Sequence, residues 1–84
     1  MADTGVKIYS LSTCGHCRAA KKFMEDNAIA FEFNDVDLLT GEKRKKAIEE
    51  LTSYNPMRSF PTILIGNSII IGFSESKLRE ALGI

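Results

Sequence analysis

Both cysteines and the single histidine of this chain fall within four residues, Cys14-Gly15-His16-Cys17. Cysteines three apart on a helix share a face, with Cβ atoms roughly 5–6 Å apart, so small adjustments let the sulfurs bond. The alternating Val6-Lys7-Ile8-Tyr9 ahead of the motif reads as a strand, and helical spacing begins inside the motif. The first sulfur is therefore expected at a helix start, where unpaired backbone N–H groups and the positive dipole end favour a thiolate. A C-x-x-C cysteine in that position titrates at about 3.5–7.5, against about 8.5 for a free thiol. This setting points to thiol–disulfide redox chemistry, in which a thiolate attacks a disulfide and a second thiol releases the mixed disulfide. His16 can be cationic near neutral pH, and Arg18 adds fixed positive charge. Both are expected to tune the cysteine pKa, favouring thiolate over disulfide and giving a more oxidising couple than two neutral residues would.

The same residues have other uses. Cys14 and Cys17, with His16, could form part of a zinc site, but structural zinc takes four ligands and the chain has no second Cys/His pair. Adjacent His16 and Cys17 also point differently on a helix. A purely structural disulfide would close too short a loop to stabilise much. His16 could equally be a solvated residue with no part in catalysis.

The elements that must position the motif follow from patterning. Small or apolar residues at Cys17, Ala20, Phe23, Met24 and Ala28 recur at helical spacing, and Asn27 is a suitable helix end. Ala30-Phe31-Glu32-Phe33 reads as a second strand fading at Asn34-Asp35. Thr40 can cap a helix carrying Ala47, Ile48 and Leu51, closed by Tyr54-Asn55-Pro56. Thr62–Ile65 and Ser68–Ile71 flank Gly66-Asn67, a two-residue hairpin signal. Their nearly continuous apolar character suits central strands buried on both faces. Ser74 can cap a last helix with Leu78, Ala81 and Leu82 inward. The expected fold class is α/β, in the order β-α-β-α-β-β-α. Its helix-joined strands should be parallel and its closing hairpin antiparallel, giving a four-stranded mixed sheet flanked by three helices. Cys14 would sit where a strand hands over to a helix, a usual place for function in open α/β sheets.

Eighty-four residues, 44% hydrophobic and 26% charged, suit one small globular domain spanning 1–84. Eleven basic and eleven acidic residues cancel, which argues against nucleic acid or an anionic membrane as the main partner. No apolar run approaches the ~20 residues of a membrane span. Met-Ala-Asp-Thr-Gly has neither a basic n-region nor an apolar h-region, so no signal peptide is expected and the simplest location is cytoplasmic.

With that element order, four segments resemble the glutaredoxin branch of the thioredoxin superfamily. They are Ile8–Lys21 around the motif, Phe33-Asn34-Asp35-Val36-Asp37, Arg58-Ser59-Phe60-Pro61-Thr62 and Ile71-Gly72-Phe73-Ser74-Glu75. The resemblance runs from about Val6 to Leu82 and implies a thioredoxin-like fold. It implies Cys14 as nucleophile, Cys17 as resolving thiol and Pro61 as a cis-proline facing the disulfide, although X-Pro bonds by themselves are mostly trans. Arg58, Phe60, Pro61, Ser74 and Glu75 would then bind substrate or glutathione, the last two through helix N–H groups holding a carboxylate. Capping alone is the other reading of Ser74 and Glu75, and core packing the other reading of Phe60.

Three positions depart from glutathione-using glutaredoxins. Leu11 stands where they usually have Lys or Arg, Phe60 replaces the valine of Thr-Val-Pro, and Gly72-Phe73 replaces Gly-Gly. Gly-Phe is more similar to NrdH-type redoxins, which thioredoxin reductase reduces. The expected function is dithiol thiol–disulfide exchange on disulfide-containing proteins or glutathione-mixed disulfides, an electron-transport role in cell redox homeostasis. The chain is expected to be a monomer without a tightly bound cofactor or metal, reduced by glutathione or by thioredoxin reductase. The alternative is an iron–sulfur or zinc carrier using the same cysteines. Lys43-Arg44-Lys45-Lys46 reads as a solvated helix face or, failing that, a docking surface for an acidic partner. Asp35 and Asp37 suit turn or cap roles, or proton transfer near Cys17.

Overall fold

Alternation along the first strand, β1 (Lys7–Ser10), separates two cores. The computed structural model describes residues 5–84, so the reading of Met1–Thr4 lies outside the described residues. Val6 and Ile8 face one side, where they pack with Ala20, Phe23 and Met24 of α1 (Gly15–Asp26) and Leu78 of α3 (Glu75–Leu82). Tyr9 faces the other side, with Val36 and with Ala47 and Leu51 of α2 (Gly41–Tyr54). The sheet is completed by β2 (Glu32–Asp35), β3 (Thr62–Ile65) and β4 (Ser68–Ile71), in the order β2-β1-β3-β4. β1 runs parallel to β2 and antiparallel to β3, and β4 is antiparallel to β3. The expected mixed sheet and three helices are thus present, with α1 and α3 on one face and α2 on the other. A short 3-10 turn, Val36–Leu38, joins β2 to the approach of α2.

Three local expectations are corrected. β2 lies two residues later than its alternation suggested, at Glu32–Asp35, because pairing with β1 decides its register: Lys7 meets Glu32 and Ser10 meets Asp35. β4 is an edge strand and not a doubly buried one. Ile70 points into the α1/α3 core, whereas Ile69 and Ile71 remain 47% and 52% exposed on a face α2 does not reach. Thr40 and Ser74 occupy the N-cap positions of α2 and α3, but neither side chain makes a capping hydrogen bond. The hairpin forms as expected, with Gly66 at φ +57° supplying the left-handed turn residue.

Helix α1 stops where Asn27 suggested, and the chain then turns through Ala28 at φ +55°. The Ala28 N–H donates to the Glu25 carbonyl at 3.1 Å, and the Ile29 N–H to the Met24 carbonyl at 2.8 Å. This is the double bond pattern of a Schellman ending, whose left-handed residue is usually glycine. An L-residue there costs about 1–2 kcal/mol, against about 0.5–1 kcal/mol of extra chain entropy for glycine. Ala28→Gly is therefore expected to raise unfolding free energy by roughly 0.5–1 kcal/mol, measured as a higher denaturant midpoint at unchanged slope.

Candidate active site

The end of the sheet at which β1 hands over to α1 gathers most of the candidate residues. Cys14 is the N-cap of α1, a place that Ser, Thr, Asp or Asn usually fills. Its Sγ does a capping oxygen's work by accepting the Cys17 N–H at 3.3 Å. Cys17 lies one turn on, fully buried against the α1 side of the sheet, and its Sγ accepts the Leu11 N–H at 3.4 Å. Both are free thiols, Cys14 half-buried.

The two sulfurs are electrostatically unlike. The Cys17 thiol donating toward it holds Cys14 below the ordinary cysteine range; burial opposes this, while the backbone N–H groups of Cys17 and His16 and the charge of Arg18 assist. Cys17 is pushed up to about 11, first by burial and then by its hydrogen bond to Cys14. A single helical turn therefore carries a nucleophile that ionises early and a partner that holds its proton. His16 is solvent-exposed beside them. Arg18 is also exposed, and its Nη2 donates to the Ser12 carbonyl at 3.3 Å.

The loop leading into Cys14 is fixed from two sides. The Cys14 N–H closes a turn onto the Leu11 carbonyl at 3.1 Å. Asp37 takes the Ser12 N–H at 2.9 Å and the Ser12 hydroxyl at 2.5 Å, bonds that hold its carboxyl below the usual range. Asp37 thus anchors this loop. Asp35 has a different environment. Burial would raise its carboxyl, but Lys21 Nζ at 2.8 Å and Ser10 Oγ at 2.5 Å outweigh that and lower it.

Pro61 is buried and the Phe60-Pro61 bond is cis. Thr62, the next residue, pairs with Tyr9 at the end of β1 and with Ile71 of β4, which brings Pro61 to the cysteine end of the sheet. The Pro61 carbonyl accepts the Gly72 N–H at 2.8 Å, joining its loop to the segment before α3. Phe60 packs against the α2-side core, and Phe73 packs edge-on to Phe23 with centroids 6.3 Å apart. The aromatic residues at 60 and 73 are therefore packed, each on a different face of the sheet.

Arg58 is exposed with φ +53°, and its backbone N–H donates to the Asn55 carbonyl at 2.9 Å. No hydrogen bond or ion pair joins either cysteine to Arg58, Phe60, Ser74 or Glu75 among the described residues. Glu75 pairs with Arg79 at 3.0 Å, and Ser74 receives the Leu78 N–H on its carbonyl at 2.9 Å. Among the described residues no three of His, Cys, Asp and Glu converge as a metal site. Among the described residues no helix is long and apolar enough to cross a membrane.

Two residues absent from the sequence-level candidates organise this end of the molecule. Asn55, almost fully buried, donates from Nδ2 to Ser59 Oγ at 2.9 Å and to Thr62 Oγ1 at 3.1 Å. Its Oδ1 accepts the Met57 N–H at 3.1 Å, so one amide shapes the loop that carries Arg58 to Pro61. As a helix-closing Asn before a proline it gave no signal of this. Lys21 was legible only as a residue four after Cys17, on the same helix face.

A family model described as Glutaredoxin matches residues 6–70. The fold superposes on the crystal structure of methanoredoxin from Methanosarcina acetivorans with a TM-score of 0.92 and 40% identity, over 98% of this chain and 87% of the other. A glutaredoxin crystal structure from Archaeoglobus fulgidus gives a TM-score of 0.86 and 38% identity, again over 98% and 87%. An uncharacterised glutaredoxin-like 8.6 kDa protein of a Clostridium pasteurianum rubredoxin operon is 32% identical over 77 residues, 92% of this chain and 96% of that one.

Proposed function

Since this chain belongs to the glutaredoxin family, we propose that it is a dithiol thiol–disulfide oxidoreductase acting on protein or glutathione-mixed disulfides in a reducing cytoplasm. The observation that carries the reading is the asymmetry of the two thiols: Cys14 accessible and low in pKa, Cys17 buried and raised to about 11. In the first step the Cys14 thiolate attacks a substrate disulfide, forming a Cys14–substrate mixed disulfide and expelling the other substrate sulfur as a thiolate. In the second, Cys17 attacks Cys14, the Cys14–Cys17 bond forms and the remaining substrate sulfur leaves reduced. Two electrons have passed to the substrate, and an external donor must return them.

The donor is read from what surrounds the motif. Leu11 offers no cation before Cys14, and Phe73 packs on Phe23 where a second glycine would leave the backbone open to a tripeptide. These two features favour thioredoxin reductase over glutathione as the electron source, whereas Arg58, the one basic residue of the proline loop, is the feature that suits glutathione. A paired turnover assay tests this: NADPH with thioredoxin reductase is expected to sustain insulin reduction, and glutathione with its reductase to support it poorly. Faster turnover in the glutathione arm would reverse the assignment of donor. Failure of both arms, together with no reduction by dithiothreitol-coupled cycling, would remove the enzymatic reading itself.

A further inference from the structure

Cys17 must give up a proton before it can attack, yet it is fully buried and its thiol is raised to about 11. Once Cys14 is bonded to substrate it carries no charge and no longer repels a Cys17 thiolate. The burial remains. Among the described residues, the Leu11 N–H donates to that sulfur at 3.4 Å, and the charge of one lysine favours its thiolate.

The cation is Lys21, one turn beyond Cys17 on the same face of α1. Its Nζ pairs with Asp35 Oδ1 at 2.8 Å, the two side chains being 19% and 14% exposed. It also lies over the Phe33 ring, 4.1 Å from the centroid. Asp35 is held in turn by the hydroxyl of Ser10, a fully buried residue paired with it across β1 and β2. An ion pair so far withdrawn from water is weak evidence for stability, since desolvation offsets most of the attraction. The other ion pairs on α1 and α3, Lys22–Asp26 and Arg79–Glu75, are solvated i,i+4 pairs of the ordinary surface kind. Among the described residues the Lys21 pair is the ion pair most withdrawn from water, and its lysine stands one helical turn from the resolving thiol.

We propose that Lys21, pinned by Asp35 and Ser10, is the positioning cation for the Cys17 thiolate in the resolving step of the exchange. This rests on the dithiol reading above. In that step the Cys17 proton passes to water and Cys17 Sγ attacks Cys14 Sγ. The Cys14–Cys17 bond forms, the Cys14–substrate bond breaks, and its electron pair leaves on the substrate sulfur, which takes a proton from water. Lys21 contributes its charge and takes no part in the proton transfer. The charged and titratable groups at this face are Cys14 at the helix start, Lys21 on α1, Asp35 ending β2 and Asp37 in the following turn; Arg18 acts on Cys14 instead. A positive charge beside the sulfur favours its thiolate, so removing that charge moves the pH profile of resolution upward.

Stopped-flow reaction with an aromatic disulfide such as dithiobis(nitrobenzoate) separates the two steps. The first release of coloured thiol reports Cys14 attack and the second reports resolution by Cys17. Lys21→Gln is expected to slow the second release about tenfold near neutral pH, the effect of a one-unit rise in thiol pKa. Its midpoint should move to higher pH, the first release should stay within about twofold of the native rate, and Lys21→Arg should restore the second. If Lys21→Gln does not fold, the Lys21→Gln/Asp35→Asn double variant, which leaves no orphaned charge, is expected to slow the second release in the same direction but by less. An unchanged second release, both releases slowing together, or no recovery with arginine would each overturn the proposal. Absence of a second release from the native protein would instead refute the dithiol reading beneath it.

Discussion

Cys14→Ser is expected to reduce turnover of every disulfide substrate to the uncatalysed background. An alcohol in that position remains protonated at neutral pH, whereas the native sulfur is held as thiolate by the Cys17 thiol, the N–H groups of the first turn of α1 and Arg18. Each unit by which the thiol pKa is lowered multiplies the thiolate fraction about tenfold until ionisation is complete. Because burial opposes ionisation at Cys14 and is outweighed, the low pKa belongs to the reduced pair and not to exposure alone. The pH dependence follows in sign: alkylation of the native protein by iodoacetamide should persist below the pH at which a free cysteine becomes unreactive. The second, slower modification, at Cys17, should need a higher pH than the first, because burial still raises that thiol after Cys14 is capped. Insulin reduction surviving in Cys14→Ser, or both thiols alkylating with one ordinary pH profile, would reverse the roles of the two cysteines.

Cys17→Ser should separate the two halves of the reaction. Cys14 retains its helix-start position and can still attack, but no sulfur lies within reach to expel the substrate. Protein mixed disulfides are then expected to accumulate, visible as reductant-sensitive adducts on non-reducing gels, while dithiol reduction of insulin falls to background. Release of glutathione from a glutathionylated substrate needs only one thiol plus free glutathione and should survive in part. Cys17→Ala, which leaves no side-chain donor where the Cys17 thiol stood, should shift Cys14 alkylation toward higher pH. Full insulin turnover in Cys17→Ser would show a monothiol route and withdraw the resolving role from Cys17.

Much of the fold was legible because its signals are local. Alternation in Val6–Tyr9, helical spacing from Cys17 to Met24 and the Gly66-Asn67 turn each reflect a residue's preference within its own element. What failed locally failed for a tertiary reason. The alternation at Ala30–Phe33 was real, but the hydrogen-bond ladder with β1 drew the strand two residues later. The apolar run Ser68–Ile71 looked central, yet strand order made it an edge with Ile69 and Ile71 exposed. Thr40 and Ser74 are cap-type residues at cap positions whose side chains do not cap, while a cysteine does.

By itself the sequence determined the chemistry available: two sulfurs three residues apart at a strand-to-helix junction, because spacing and helix polarity are properties of a local segment. Only the tertiary structure decided that the sulfurs are unequal. Cys17 is buried because α1 lies against the sheet, and its hydrogen bonds and neighbouring charge come from Leu11, Lys21 and, behind Lys21, Asp35 and Ser10. Asn55 and the cis Phe60-Pro61 loop are likewise brought to that end by strand pairing, through Thr62. Burial and long-range partners set a thiol's proton affinity, and neither can be read from neighbours in the chain.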